Sequence, residues 1–137
     1  VCRYVYDEMQ YVPGTTGVHT TAVDAWNERK GVCQDYAHLT LLMLRGLGIP
    51  SRYVSGYLHP KPNAAVDKTV EGQSHAWIEA WTGGWWGFDP TNFTEITEQH
   101  VSVGVGRDYS DVSPLKGIYT GGQATDLDVV VEITRLA

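Results

Sequence analysis

The segment 32–48, VCQDYAHLTLLMLRGLG, constrains the fold most, because after its first turn it is apolar on nearly every face of a helix. A helix without a broad polar face has to be covered on most sides by the rest of the chain. Gly48 suits the position just after a helix, and Pro50 prevents the helix from continuing. A chain of 137 residues is long enough to build one core around such a helix. We therefore predict a single domain over residues 1–137 with this buried helix at its centre.

Helical patterns precede the central helix, and strand patterns follow it. A helix is predicted over 1–9, and a second one runs to about Lys30 with Thr20 or Thr21 as its N-cap. Four strands are predicted after the central helix, at 51–58, 74–81, 85–89 and 127–136, with a weaker fifth strand on Val101, Val103 and Val105. The segment 59–73 is predicted to be a long loop and a candidate flap. Helices followed by antiparallel strands indicate an α+β fold, with the buried helix packed on an antiparallel sheet.

The charge balance argues against several classes of partner. Ten Lys and Arg residues face 16 Asp and Glu residues, for a formal net charge of −6, and no basic stripe is present. Nucleic acids and membranes are therefore not predicted as partners, and no apolar run is long enough to span a bilayer. The two cysteines exclude a disulfide framework and allow a single bridge at most. We expect a cytoplasmic protein. The sequence begins with Val1 inside a helical pattern, which leads us to expect a fragment of a longer protein.

Cys33 occupies the first turn of the central helix, directly after Gly31 and Val32. The free N–H groups and the dipole at a helix N-terminus favour a thiolate, which makes the sulfur nucleophilic, and the Cys33 N–H could donate to an oxyanion. Asp35 opposes thiolate formation, so we expect its side chain to turn elsewhere. The alternative interpretation is that Cys33 is a small apolar residue in a helix contact.

A cysteine nucleophile needs a base, and the chain has five histidines. His38 lies five residues after the cysteine on the same helix, about 140° around the axis, so it is a poor partner. His19, His59 and His100 are interpreted as solvated surface residues. The remaining candidate is His75, because a carboxylate lies across the predicted hairpin from it.

The predicted hairpin 74–89 brings His75 towards Asp89. Opposed residues of an antiparallel pair share a face, and a turn centred on Thr82 would place His75 opposite Asp89. A turn centred on Gly83 and Gly84 would instead shift Asp89 by three residues. In the first register, the carboxylate would fix the tautomer of the imidazole. The alternative for Asp89 is a strand end, because the residue before a proline is pushed to extended geometry.

Four tryptophans crowd the same hairpin, at Trp77, Trp81, Trp85 and Trp86. We interpret them first as core packing, and secondly as walls of an apolar groove for an acyl group. No CxxC or HxxxH spacing, calcium loop or phosphate loop is present, so no metal or cofactor is predicted.

Three blocks in order resemble the transglutaminase-like superfamily, in particular its bacterial cysteine-protease-like branch. They are GVCQDYAHLTLLMLRGLGIPSRYVSGYL at 31–58, SHAWIEAW at 74–81 and GFDPTN at 87–92. The resemblance implies a papain-like α+β fold and a cofactor-free triad of Cys33 as nucleophile, His75 as general base and acid, and Asp89 as orienting carboxylate. It also implies that an N-terminal β-rich region precedes this part of the chain. Tyr11, Trp26 and Asn27 are candidates for the second oxyanion donor.

What the resemblance implies chemically is attack on a peptide or isopeptide amide, a thioester intermediate, and transfer to water or an amine. We expect hydrolysis more than cross-linking, with a peptide or protein amide as substrate and no calcium control. One alternative is a non-catalytic peptide-binding or scaffold module that keeps the fold. Another is a fragment whose site is incomplete without the missing N-terminal part.

Overall fold

The computed structural model describes residues 1–113 and 130–136. Its helices are α1 (Cys2–Glu8), α2 (Ala22–Glu28) and α3 (Cys33–Gly46). Its strands are β1 (Gln10–Tyr11), β2 (Lys30–Gly31), β3 (Ser51–Leu58), β4 (Thr69–Glu71), β5 (Gln73–Trp81), β6 (Trp85–Asp89), β7 (Thr94–Glu95), β8 (His100–Gly106) and β9 (Glu132–Thr134). A 3₁₀ turn spans Tyr109–Asp111. In the described part of the chain, no helix combines the length and the hydrophobicity needed to cross a bilayer.

The three predicted helices are confirmed, and their ends follow local rules. Thr21 caps α2, since its side chain accepts the backbone N–H of Asp24 at 3.2 Å. Helix α3 ends at Gly46, and Gly48 then adopts a left-handed conformation with φ of +76°, which only glycine takes at little cost. Pro50 follows before β3 begins, so the central helix begins and ends close to the predicted positions.

Helix α3 packs on one face of a five-stranded antiparallel sheet with the order β7-β6-β5-β3-β8. The core between them combines three helix residues with five sheet residues: Ala37, Leu41 and Leu44 against Tyr53, Ala76, Ile78, Ala80 and Phe88. A second cluster lies between α3 and the two preceding helices: Val5, Met9, Ala25, Tyr36 and Leu39. The α+β class is therefore confirmed. Leu42 is 53% exposed, so one narrow stripe of the helix lies outside both clusters.

The predicted strands differ from the observed ones at the edges of the fold. The weak fifth strand is a full member of the sheet, because β8 pairs along most of β3. The segment 59–73 is not an uninterrupted loop, since β4 lies within it and pairs with β9. Strand β9 covers only Glu132–Thr134 of the predicted strand 127–136, and residues 127–129 of that prediction lie outside the described residues.

Candidate active site

Cys33 is the first residue of α3, and the segment before it fixes its position. Strand β2 pairs in parallel with β1, which holds Gly31 opposite Tyr11 and leads the chain directly into the helix. A side chain at Gly31 would collide with Asp35, because an added Cβ would lie 2.6 Å from the Asp35 Cβ. The N-terminal N–H groups of the helix precede its first intrahelical bond and point out of its end. Cys33 is partly buried, and both cysteines of the chain are free thiols.

Asp35 turns towards the N-terminus of its own helix. Its Oδ2 accepts the backbone N–H of Val32 at 2.7 Å and the hydroxyl of Thr16 at 2.6 Å. The residue is 1% exposed, and within the described chain its Oδ1 has no hydrogen-bond partner. The side chain therefore acts as a cap, in agreement with the expectation that it turns elsewhere.

Asp89 is fully buried and accepts five N–H donors. Its Oδ1 accepts the backbone amides of Thr91 at 2.9 Å and Asn92 at 3.2 Å. Its Oδ2 lies 2.7 Å from His75 Nε2, 2.7 Å from the side-chain amide of Asn92, and 3.3 Å from His100 Nε2. Burial alone would raise the pKa of Asp89, but the hydrogen bonds from His100, His75 and Asn92 hold it well below its usual range. The carboxylate is thus ionised and fixed in orientation.

His75 lies between this carboxylate and the thiol of Cys33. Its Nε2 meets Asp89, and Cys33 lies close enough to affect the pKa of the ring, so Nδ1 is the nitrogen available to the sulfur. Burial alone would lower the pKa of His75, but its hydrogen bonds to Asp89 and Cys33, with the charges of both groups, raise the pKa to about 9. The structure therefore brings the three sequence-predicted residues together, with His75 hydrogen-bonded to Asp89 and close to Cys33.

The route by which His75 meets Asp89 differs from the predicted one. Trp81 pairs with Trp85 and Ile78 with Phe88 across a three-residue loop, so neither predicted register is correct. Continued by one step, the observed register sets Asp89 opposite Trp77 and His75 on the diagonal of the same face. A diagonal neighbour is within reach of an imidazole ring. The contact therefore forms although the residues are not directly opposed.

His100 and His59 were both expected on the surface, and both expectations are wrong. The side chain of His100 is 2% exposed, and its ring packs edge-on to Trp77 with the centroids 5.2 Å apart. His59 is 5% exposed, and its Nδ1 lies 3.1 Å from the backbone N of Lys61. No local pattern marks either residue, because each is covered by strands distant in sequence. His19 is exposed, as expected. 

Asn92 was also missed as a site residue, although a local signal was present. An aspartate followed by proline favours a turn in which the carboxylate accepts backbone amides two and three residues later. The bonds from Thr91 and Asn92 to Asp89 form such a turn. The block GFDPTN therefore carries the means of holding its own carboxylate.

One group of side chains among the described residues has its ligand atoms close enough together to be considered as a metal site. It consists of His75, Asp89 and His100, whose ligand atoms lie within 4.8 Å of one another. Two ligands of a tetrahedral zinc ion, each about 2.0–2.1 Å from the metal, stand roughly 3.3 Å apart. The 2.7 Å between His75 Nε2 and Asp89 Oδ2 is too short for that arrangement and typical of a hydrogen bond. The amide of Asn92 also donates to the same oxygen. The residues therefore fit a hydrogen-bonded cluster better than a metal site.

The four tryptophans separate into two groups. Trp77 is 1% exposed and packs beside the site, which confirms its prediction as a core residue. Trp81, Trp85 and Trp86 are exposed, so the prediction of core packing is wrong for them. Trp81 and Trp85 meet edge to face at 5.6 Å, and the guanidinium of Arg52 lies 4.0 Å from the Trp85 ring centroid. These rings form a surface cluster at the tip of the hairpin.

Of the three candidates for a second oxyanion donor, Tyr11 lies close enough to Cys33 to interact with it electrostatically. Burial raises the pKa of Tyr11, and the charge of Cys33 adds to the increase. Trp26 packs instead under the guanidinium of Arg29, 3.2 Å from its ring centroid. Asn27 follows on the same helix, α2.

Comparison with known proteins places these features in a family context. Residues 1–90 match the family model of the Transglutaminase-like superfamily. The chain is 70% identical over 135 residues to an uncharacterized protein of Mycobacterium leprae, covering 98% of this chain and 48% of the relative. It is 38% identical over 137 residues to an uncharacterized protein of Mycobacterium tuberculosis, covering 94% and 44%. The chain thus spans about half the length of these curated relatives.

Two further similarities concern proteins whose names mention an activity. The chain is 34% identical over 109 residues to a protein-glutamine gamma-glutamyltransferase of Pseudomonas aeruginosa, covering 75% of this chain and 16% of that protein. A solved structure from Cytophaga hutchinsonii, named a putative cysteine protease, superposes with a TM-score of 0.75 at 32% identity. That match covers 98% of this chain and 43% of the solved one.

Proposed function

The chain belongs to the transglutaminase-like superfamily, and from that premise we propose that it is a cysteine-dependent enzyme that cleaves or transfers peptide or isopeptide amides through a thioester. Cys33 is the nucleophile, His75 the general base and acid, and Asp89 the residue that orients His75. The observation that carries the proposal is the row formed by the buried Asp89, by His75 hydrogen-bonded to it, and by a cysteine at a helix N-terminus close enough to shift the pKa of His75.

The row supplies each proton transfer that the reaction requires. His75 Nδ1 takes the thiol proton, and the sulfur of Cys33 bonds to the amide carbon. The carbonyl oxygen gains the negative charge beside the N–H groups at the start of α3, which stabilise it. The imidazolium then protonates the amine as the C–N bond breaks, leaving a thioester on Cys33. Water or an amine attacks the thioester after giving a proton to His75, and the thiolate leaves.

Asp89 keeps His75 in the tautomer that this sequence of steps needs. Because the carboxylate only accepts hydrogen bonds, the proton of the neutral ring lies on Nε2, and the Nδ1 lone pair faces Cys33. A pKa of about 9 for His75 keeps the ring protonated near neutral pH once it has taken the thiol proton. The imidazolium therefore keeps this proton until the leaving amine takes it.

Hydrolysis is proposed as the main outcome over cross-linking. The side chain of His75 is 9% exposed, so a small acceptor such as water reaches it more readily than a lysine side chain does. The Pseudomonas aeruginosa relative is named as a protein-glutamine gamma-glutamyltransferase and the Cytophaga hutchinsonii structure as a putative cysteine protease. Both names are compatible with one thioester intermediate and two acceptors.

The proposal is tested with a panel of glutamine peptides, ordinary peptides and isopeptides, each with and without a primary amine. Release of ammonia, of new amino termini and of amine conjugates separates the possible reactions. Cys33→Ala is compared with Cys2→Ala, which removes the other free thiol of the chain. We expect turnover and a trapped acyl-enzyme in the wild type and in Cys2→Ala, and neither in Cys33→Ala. Turnover that survives in Cys33→Ala would contradict the proposal, and peptide binding without turnover in the wild type would favour a binding module.

A further inference from the structure

The ring of His100 touches the same carboxylate oxygen as the ring of His75. Its Nε2 lies 3.3 Å from Asp89 Oδ2, and its side chain is 2% exposed. His100 is the first residue of β8, and β8 is separated from β6, the strand of Asp89, by β5 and β3 in the sheet order. The connection from the end of β7 to the start of β8 is short enough to bring the histidine across the end of the sheet to Asp89.

The tautomer of His100 follows from the partner of its other nitrogen. The backbone N–H of Thr97 points at His100 Nδ1 across 3.2 Å, and the hydroxyl of Thr97 lies 3.3 Å from the same atom. Because a backbone amide can only donate, Nδ1 has to be the acceptor. The neutral ring therefore carries its proton on Nε2, where it donates to Asp89. The ring is also held by the edge of Trp77.

Asp89 Oδ2 is thus fixed from three directions, by His75, by the side-chain amide of Asn92 and by His100. Oδ1 is fixed independently by the turn amides of Thr91 and Asn92. The turn amides hold Oδ1 through the residues that directly follow Asp89. His100 holds Oδ2 from β8, an edge strand of the sheet that is distant from Asp89 in the strand order. The position of this oxygen determines where the N–H of His75 is held, and so where Nδ1 meets Cys33.

We propose that His100 is a positioning residue of the site, whose Nε2–H holds Asp89 Oδ2 in the place where it orients His75 towards Cys33. The inference rests on the proposed function for its catalytic meaning. It predicts that His100 acts only through Asp89 and that any side chain with an N–H donor at the position of Nε2 can replace it.

The test measures the second-order rate constant for alkylation of Cys33 by iodoacetamide, which needs no amide substrate. His100→Phe keeps a ring against Trp77 but removes the donor, and His100→Gln places an amide N–H near the position of Nε2. His59→Phe is the matched control, since His59 is a buried histidine whose ring is hydrogen-bonded to the backbone of Lys61. Each substitution at His100 is also made in the Asp89→Asn background.

We expect His100→Phe to slow alkylation about tenfold, the lower range for losing a hydrogen bond to a charged group because the bond is long. His100→Gln should stay within about threefold of the wild type, as should His59→Phe, since the amide restores a donor and the control never touches Asp89. In the Asp89→Asn background, His100→Phe should add nothing, because residues that act through one another are not additive.

Three results would overturn the inference: an unchanged rate in His100→Phe, an equal loss in His100→Gln, or a full additional loss in the Asp89→Asn background. Melting temperatures recorded for each variant separate a loss of folding from a loss of orientation. The alkylation rate of wild-type Cys33 distinguishes a failure of the proposed function from a failure of the role proposed for His100. Slow, ordinary alkylation of wild-type Cys33 would contradict the proposed function, whereas fast alkylation that His100→Phe leaves unchanged would contradict only the role of His100.

Discussion

Replacing Asp89 with asparagine reverses the hydrogen-bond character of the most buried group in the site. The wild-type carboxylate accepts five N–H donors and offers none. An asparagine whose oxygen stays on the turn amides of Thr91 and Asn92 directs its NH₂ at the place of Oδ2. That group then faces three donors, on His75, Asn92 and His100. His75 can relieve the conflict by moving its proton to Nδ1. The nitrogen that faces the thiol is then an N–H group, which cannot accept the thiol proton.

The expected effect on rate is large because the tautomer is reversed in the ground state. In other triads the same substitution lowers turnover by up to ~10⁴, and we expect a loss of that order here. The pKa of His75 should also fall below its wild-type value of about 9, because the bond and the charge of Asp89 both raise it. Alkylation of Cys33 near neutral pH should therefore slow in Asp89→Asn as well.

The expected effect on stability is moderate. Breaking a buried charged arrangement on one side costs about 3 kcal/mol, which is less than the roughly 5–15 kcal/mol of a typical domain. The protein should therefore fold, with a melting temperature lower by about 10 °C. Asp24→Asn is the control, since Asp24 is an aspartate that bonds to Thr21 at the exposed start of α2. It should leave turnover unchanged.

Turnover of a peptide amide, alkylation of Cys33 and thermal unfolding are measured together on both variants. The reasoning predicts loss of turnover in Asp89→Asn at a temperature where circular dichroism still shows the native fold. Turnover within about threefold of the wild type would refute the assigned role of Asp89, since the loss expected from a reversed tautomer is far larger.

The nucleophile, the protonation of His75 and the packing around Gly56 can each be tested separately. Cys33→Ala should form no covalent acyl-enzyme by mass spectrometry, and an acyl group found on another residue would contradict the assignment of the nucleophile. The pKa of His75 is raised from 6.5 to about 9 in the folded protein. The stabilisation of the fold by proton binding to His75 is therefore complete below pH 6.5 and is lost as the pH rises to about 9. Calorimetry should show this fall in the melting temperature in the wild type and not in His75→Ala. An added Cβ at Gly56 would lie 2.1 Å from the Val101 carbonyl oxygen and 2.6 Å from the Trp77 ring, so Gly56→Ala should cost about 1–3 kcal/mol in urea unfolding; an unchanged midpoint would show that the strands yield.

The parts of the fold that were predictable from the sequence are those with local or periodic signals. The central helix is nearly continuous in apolar residues and is bounded by Gly48 and Pro50, so its position follows from composition and stop signals. Strand β3 matches the predicted segment residue for residue. The hairpin register was missed because the loop of three residues pairs Trp81 with Trp85, and loop geometry sets the register of the whole hairpin.

The residues of the site also differ in whether a local sequence pattern predicts them. His75 and Asp89 share a face because the observed register pairs residues of equal parity, although neither predicted register was correct. His100 reaches Asp89 only when β8 has paired with β3, which in turn pairs with β5. No pattern within a few residues of His100 reports that pairing. Its burial against Trp77 therefore became visible only in the folded chain.

The most direct test of the account is the pH profile of Cys33 alkylation by iodoacetamide from pH 5 to 9, followed by peptide mass mapping in the wild type and in His75→Ala. Cys2 serves as a reference thiol in the same molecule, because burial raises its pKa and slows its reaction. We expect fast labelling of wild-type Cys33 already at pH 6 and a strong decrease in His75→Ala. Slow labelling of wild-type Cys33 that rises with pH as an ordinary thiol does, and is unaffected by His75→Ala, would contradict it.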